Sequence, residues 1–481
     1  MVDHYVMNDI AEPDPIQPDQ AKLGPFSATC IVVGAIVGIG IFFTPTNVAL
    51  ITGSSKLALI SWAVGGMIAM LGALTFAELG SRCKRNGGQY ELLRDAWSAP
   101  VGFAYVFCNA TIIQAGAIAI IAFIAAKNFG LMVQGTELTN QANFTIAAVM
   151  IVGLTIANAF GIRWGSGIQN VTVIAKIATL LVITGLALGA PAVSEVVLTE
   201  TAAKKVEAAR QLSPLALVFA GMVPVFFSFG GWQHALWIGG EVKRPQRTIP
   251  IAIVVGLIVV TTVYLLANWA YFQLLGFEGV ANSGTLAADA VSVRWPKYGG
   301  KLIAAAVAAS AFGVLNAQLL SGPRLISGMA REGKFFSMFK NISPRTGTPL
   351  AAIFMLGGLG LAILLIARDP GRIDSLINGV VLVDAVFFLV TGLAIFRLRR
   401  KTDANHAEAP RFLVPFYPIV PILFVIGKIC VLAGAFMLEK YRNGAWIGLI
   451  WIVVALIVYS IFFRDGHSPD QTNRTSPQTD P

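Results

Sequence analysis

Residues 34–42 read GAIVGIGIF, which places Gly34, Gly38 and Gly40 inside a long apolar run. Glycine in a helix interior costs about 1 kcal/mol against alanine, and inside a bilayer no water repairs a loosened backbone. A second interruption explains the first. Residues 223–242 read VPVFFSFGGWQHALWIGGEV, with Gly230 and Gly231 in mid-run and Pro224 a turn or two earlier. A helix unwound at mid-membrane exposes free N–H groups at the start of one half and free carbonyls at the end of the other. A zwitterion offers its carboxylate to the first and its ammonium to the second. Interrupted segments at corresponding places in two halves of a chain mark a midplane binding site. Taken singly, each glycine group also fits close helix packing, because Gly34 and Gly38 have small-xxx-small spacing.

Composition sets the environment. Of the 481 residues, 56% are hydrophobic and 12% charged, and the mean hydropathy is +0.72. Soluble domains carry about twice that charged fraction. Apolar runs of spanning length recur along the whole chain, so the pattern predicts an all-α polytopic membrane protein of about twelve spans. These run at approximately 26–51, 57–81, 100–127, 142–160, 166–190, 214–240, 249–275, 299–328, 349–367, 372–397, 413–437 and 444–464. Residues 1–25 and 465–481 are polar and read as disordered cytoplasmic tails. No cleavable signal precedes the first run. Between 190 and 213, the stretch VSEVVLTETAAKKVEAARQL has the apolar spacing of a short amphipathic surface helix or of a solvated connector.

The net charge of +10 is not a nucleic-acid signature. Lys and Arg gather in short loops, among them Arg82, Lys84, Arg85, Lys243, Arg244, Arg247, Arg397, Arg399 and Arg400. This is the positive-inside pattern and places both termini in the cytoplasm. The four cysteines have no metal or CxxC spacing and read as small buried hydrophobes. No nucleophile–base, zinc or nucleotide-binding motif is present. Neither a cofactor nor an enzymatic reaction is expected.

Several stretches in order carry a resemblance: GAIVGIGIF followed by Pro45, FAELGSRCKRNGGQYELL at 76–93, FSFGGW at 227–232, GEVKRPQRTIPIAI at 240–253, and FGVLNAQLLSGPRLISGMAREG at 312–333 with TGTP at 346–349. Together they resemble permeases of the amino acid–polyamine–organocation superfamily, most of all its L-amino-acid transporter branch and bacterial relatives. The resemblance implies a LeuT-like fold of two inverted five-helix repeats, about 26–190 and 214–397. The first and sixth helices are broken, and two extra helices follow at about 413–464. It implies that Gly38, Ile39 and Gly40 bind a substrate carboxylate. The ammonium would meet carbonyls of Ile36 and of Phe227, Ser228 and Phe229 at the break before Gly230. Phe227 stands at the gating aromatic. Position 39 is commonly a small residue in the family, so Ile39 narrows the pocket. Some relatives are disulfide-linked to a single-span glycoprotein through a cysteine after the third span. Here that loop, NFGLMVQGTELTNQANF, has none, so no such heavy chain is expected.

Charges inside spans are costly and functional by default. Lys176, in IQNVTVIAKIATLLVITG, matches the lysine that stands near the sodium position in sodium-independent members; the bland alternative is snorkelling to the interface. Asp384, in LINGVVLVDAVFFLVTG, reads as a proton carrier, a polar contact in the pathway or a hydrogen-bonded structural acid. Lys428 reads as structural or lipid-facing. Glu78 and Glu241 sit at cytoplasmic helix ends as members of gate or scaffold ion pairs, or as ordinary solvated charges. His234 follows the second break and reads either as lining the pocket with Gln233 or as a satisfied packing histidine.

The combined expectation is a sodium-independent secondary transporter that exchanges or imports amino acids by alternating access. A proton-coupled amino-acid or polyamine symporter is the nearest alternative, and a non-transporting membrane amino-acid sensor is the alternative of another class. The expected surroundings are membrane lipid, with a bacterial cytoplasmic membrane as the expected location. Composition leaves the oligomeric state open.

Overall fold

The structure, a computed structural model, describes residues 24–463 except 83–87, 137, 162–165, 190–196, 210, 234–235, 237–241, 332, 369, 405–411 and 438. Nearly all of both tails therefore lies outside the described residues, as do Cys83, His234 and Glu241.

The protein is an integral, all-helical membrane protein. Among the described residues, eight helices are long and apolar enough to cross a bilayer, and four shorter apolar helices accompany them. In chain order they form spans at the twelve places the apolar runs predict. The first span is interrupted. It opens at Pro25, whose missing N–H costs nothing at a helix start, and runs helically to Ile36. At Val37 the backbone leaves the helix (ψ 74°), and the Gly38 N–H turns back onto the Ile36 carbonyl at 2.7 Å. A single 3-10 turn, Gly40–Phe42, leads into the second half, Thr44–Thr52.

The sixth span is interrupted at the matching place. Ser213 caps it by accepting the Ala216 N–H at 3.3 Å, and Pro214 occupies the first turn. The helix runs Pro214–Phe229 and ends because Gly230 is extended (φ −64°, ψ 152°).

The remaining spans are Ser55–Arg82, Ala99–Gln134, Asn140–Ala159, Ser166–Ala187, Pro245–Asn282 with a kink at Gly276, Gly299–Arg331, Leu350–Ile366, Pro370–Ala404, Ile419–Met437 and Glu439–Phe462. Spans 1, 2, 6 and 7 pack on one another, and spans 3, 4, 8 and 9 form a second group. Span 5 lies against spans 1, 7 and 8, and span 10 against spans 3, 6, 11 and 12. Two bodies with a shared seam result, and both interruptions belong to the first body. On the perimeter, span 12 turns Ile447, Ile450, Val453 and Ile457 outward. Such a face is stable only against hydrocarbon.

The connection after span 5 does contain the amphipathic helix its spacing allows, Glu200–Ala209. Ala202 and Val206 are buried against the second half of span 1, while Lys204 and Glu200 pair on the outside at 2.6 Å.

Candidate functional site

The two interruptions meet, and glycine is what lets them. A Cβ on Gly40 would come within 2.5 Å of the Ser228 Oγ and 2.9 Å of its Cα. Gly231 holds φ at +122°, which side chains rarely adopt, and a Cβ there would lie 2.5 Å from the Ala35 carbonyl oxygen. Gly38 differs. Its missing side chain leaves open space, with the nearest atom 3.9 Å away. Thus Gly40 and Gly231 admit the partner helix, while Gly38 leaves room over the main chain. The two readings of glycine are both present, at different positions.

Hydrogen bonds fasten the contact. The Thr44 hydroxyl donates to the Gly40 carbonyl at 2.9 Å, and the Thr44 and Ser228 hydroxyls lie 2.7 Å apart. With its proton on Gly40, Thr44 accepts from Ser228. From span 7, the Tyr264 hydroxyl reaches two carbonyls, Ile36 at 3.0 Å and Ser228 at 3.1 Å, one from each broken span. A phenol has a single proton, so it serves one of them at a time. The Gly231 N–H goes to Gln233 Oε1 at 3.0 Å instead of continuing the helix. Beyond the first break, no acceptor among the described residues takes the N–H groups of Ile39, Gly40 and Ile41. A cluster of free donors faces this point, as expected where a half-helix begins.

Between the breaks lies a cavity of about 120 Å³. Its lining includes Ile36, Gly38, Ile39 and Gly40 from span 1, Phe227, Ser228, Gly230 and Gln233 from span 6, and Asp384 from span 10. Phe227 is half-buried and meets Phe43 edge-on, ring centres 5.8 Å apart. The Phe229 side chain is fully buried away from the cavity, between Trp62 and Tyr264. Lys176 does not line the cavity either. It lies with Val173, Leu180, Ile183 and Ala187 on the buried stripe of span 5. That stripe spacing turns it toward the packed interior rather than toward lipid.

Three polar cavity residues lay outside the reading of the sequence: Asn109 and Gln114 on span 3, and Gln318 on span 8. The signal was an uncharged amide within an apolar run. Asn109 and Gln114 stand five apart, which separates them on an α-helix. The segment Asn109–Gln114 is a π-helical turn, and this brings Gln114 Nε2 within 2.9 Å of Asn109 Oδ1. Such turns concentrate at functional sites.

Two further charges are resolved. Lys428 is 2% exposed, so it is not lipid-facing. Its ammonium sits 3.8 Å from the Phe226 ring centre and 4.6 Å from that of Phe388. Glu78 is fully buried: Oε1 accepts from Arg82 at 2.7 Å and Arg399 Nε at 2.9 Å, and Oε2 from Arg399 Nη2 and the Val414 N–H at 2.8 Å. This network locks spans 2 and 10 and the start of the segment before span 11 at one end of the bundle.

A helical membrane protein whose two interrupted spans close on a common cavity is the architecture of a carrier for small zwitterions. The chain belongs to the amino acid permease family, which it matches over residues 23–463, within the amino acid–polyamine–organocation superfamily. It is 28% identical over 428 residues to the serine/threonine exchanger SteT of Bacillus subtilis, covering 88% of this chain and 93% of the relative. Against the mouse b(0,+)-type amino acid transporter 1 it is 28% identical over 463 residues, 92% of this chain and 88% of the relative. Against the human cystine/glutamate transporter the identity is 27% over 434 residues, 90% and 83% of the two chains. The relatives are transporters and exchangers, not enzymes.

Proposed function

We propose that this permease is a sodium-independent exchanger of amino acids that works by alternating access. The observation that carries the reading is the cavity between the two breaks, with free N–H groups on the Ile39–Ile41 side and the helix-end carbonyls of Ile36 and Phe227 on the other. The Gly38–Gly40 turn receives the carboxylate. Carbonyls of Ile36 and of Phe227, Ser228 and Phe229 receive the ammonium, with Gly230 ending the helix that presents them. Phe227 closes over the bound molecule. The body of spans 1, 2, 6 and 7 rocks against spans 3, 4, 8 and 9. Lys176, a fixed cation on the inner stripe of span 5, replaces a mobile sodium ion. The exchanger among the relatives supports exchange over net uptake.

The setting follows from the same reading. Both termini and the tails at 1–25 and 465–481 lie in the cytoplasm of a bacterium, beneath its inner membrane. The transporter unit runs from 26 to 464, as two repeats, about 26–190 and 214–397, and two extra helices. It functions without a disulfide-linked heavy chain. Asp384 favours a second reading: a carboxyl facing the cavity is placed to carry a proton with the substrate.

Uptake of labelled neutral amino acids into sodium-free proteoliposomes tests this. Uptake that requires internal amino acid supports exchange. Uptake into empty vesicles driven by an inward proton gradient replaces exchange with symport. Binding without flux assigns a sensor.

A further inference from the structure

Lys428 stands midway along span 11 and is buried, so its stem does not carry the charge out to an interface. Among the described residues no carboxylate forms an ion pair with it. Rings surround it instead. The ammonium lies 3.8 Å from the ring centre of Phe226 and 4.6 Å from that of Phe388, with Trp232 at 5.7 Å and Phe424 at 5.8 Å. A cation within about 6 Å of a ring centre is attracted by the electron-rich face, most strongly where water is excluded. The rings are themselves built in. Trp232 packs on Phe388 with ring centres 4.7 Å apart, and Phe76 of span 2 lies edge-on to both Trp232 and Phe424. Gly72 on span 2 and Gly392 on span 10 leave the space that the Phe424 ring fills, since a Cβ at either would run into it. The Trp232 Nε1–H finds no acceptor among the described residues, so ring contacts hold the indole, not its polar edge.

Two of these rings flank the second break. Phe226 immediately precedes Phe227, and Trp232 immediately follows Gly231. Between them the chain turns out of the helix at Gly230, and the Gly231 N–H goes to the Gln233 side chain. A stretch that has left the helical ladder depends for its shape on what grips its ends. Phe226 also belongs to the cavity lining, next to Phe227, Ser228 and Gly230. We infer that Lys428 is a positioning residue: by drawing Phe226 and Trp232 onto one charge it fixes the segment between them, and with it the carbonyls that receive the substrate ammonium. This inference rests on the reading of the cavity as an amino-acid transport site. Those carbonyls meet the end that all amino acids share, so the effect of Lys428 falls equally on substrates with different side chains.

Exchange in proteoliposomes containing the full chain tests it, with labelled serine, alanine or leucine outside and the same unlabelled amino acid inside. Lys428→Met keeps an unbranched side chain of similar length and removes the charge. Its KM is expected to rise about tenfold, by the same factor for each amino acid the unaltered protein carries, with the maximal rate changed less than about threefold. Its melting temperature in detergent should not fall, because an apolar side chain of similar volume replaces a buried charge without loss. Fluorinated phenylalanine at position 226 adds a readout that a purely structural contact does not move. One, two and then three ring fluorines drain the electron-rich face and nearly preserve the shape of the ring. KM is expected to climb stepwise along that series. If Lys428→Met fails to fold, the series alone decides. A flat KM across the series overturns the positioning role and leaves the transport reading standing. A rise in KM confined to one amino acid also overturns it, by assigning the effect to a side-chain pocket. Absence of flux and of binding for every amino acid in the unaltered protein removes both.

Discussion

The Tyr264 hydroxyl lies 3.0 Å from the Ile36 carbonyl, at the point where the first span stops being helical, and 3.1 Å from the Ser228 carbonyl of the sixth. One side chain from the seventh span thus reaches both broken ones, donating its single proton to one carbonyl at a time. Its ring is held independently, edge-on to Trp62 and tilted on Phe229 at 5.7 Å and 5.2 Å.

Tyr264→Phe keeps those ring contacts and removes the hydroxyl. The loss of a hydrogen bond is worth about 1 kcal/mol, or about fivefold in an equilibrium. The variant is expected to insert and purify like the parent, with the KM for amino acid raised about fivefold and the maximal rate changed less. A KM unchanged with a normal rate removes Tyr264 from the organisation of the site.

Three of the glycines at the breaks, Gly38, Gly40 and Gly231, are expected to separate into two kinds. Gly40→Ala collides with the Ser228 main chain, and Gly231→Ala combines a collision with an unfavourable φ. Strained backbone of this sort costs about 1–3 kcal/mol. Both variants should melt at lower temperature in detergent. Gly38→Ala meets open space and should melt like the parent, yet bind amino acid at least about tenfold more weakly by filling the carboxylate position. Parallel thermal unfolding and binding measurements on the three check this division.

Glu78→Ala removes the fully buried carboxylate that accepts from Arg82, from the part-buried Arg399 guanidinium and from the Val414 N–H. Removing one partner of a buried ion pair costs about 3–5 kcal/mol. The expected outcome is a clear drop in thermal stability, together with greater reactivity of a cysteine placed at the end of the bundle that holds Glu78. Stability equal to the parent would mean that the network contributes nothing to closing that end.

Lys176→Met removes the buried cation from span 5 while keeping an unbranched side chain of similar length. Exchange is expected to fall by about tenfold or more, with the parent equally active in sodium and in choline. Full activity of the variant in sodium-free buffer would exclude Lys176 as the substitute for a cation.

The legible part of this molecule was what local sequence controls. Span positions followed from apolar runs, and both breaks from glycine against an apolar background. For residues 190–213 the apolar spacing allowed a short amphipathic helix or a solvated connector, and the helix forms with Ala202 and Val206 on its buried face. What stayed hidden depended on distant partners. Glu78 was recognisable as an ion-pair acid, but its bidentate partner Arg399 stands 321 residues away. Apart from Phe424, one turn away on its own helix, the rings around Lys428 come from spans 6 and 10 and left no local sign. The amide wall was hidden by helix geometry, since Asn109 and Gln114 share a face only where the helix widens to a π turn. Phe229 belongs to the break by sequence, yet its ring packs away from the cavity.

The central claim is that an amino acid sits between the two breaks, spanning them with its two charges. An experimental density map of the protein saturated with a transported amino acid tests this directly. The account predicts the carboxylate within hydrogen-bond distance of the Ile39, Gly40 and Ile41 N–H groups, and the ammonium at the carbonyls of Ile36 and Phe227. An amino acid bound elsewhere in the bundle, or in the cavity with its ends reversed, would contradict it.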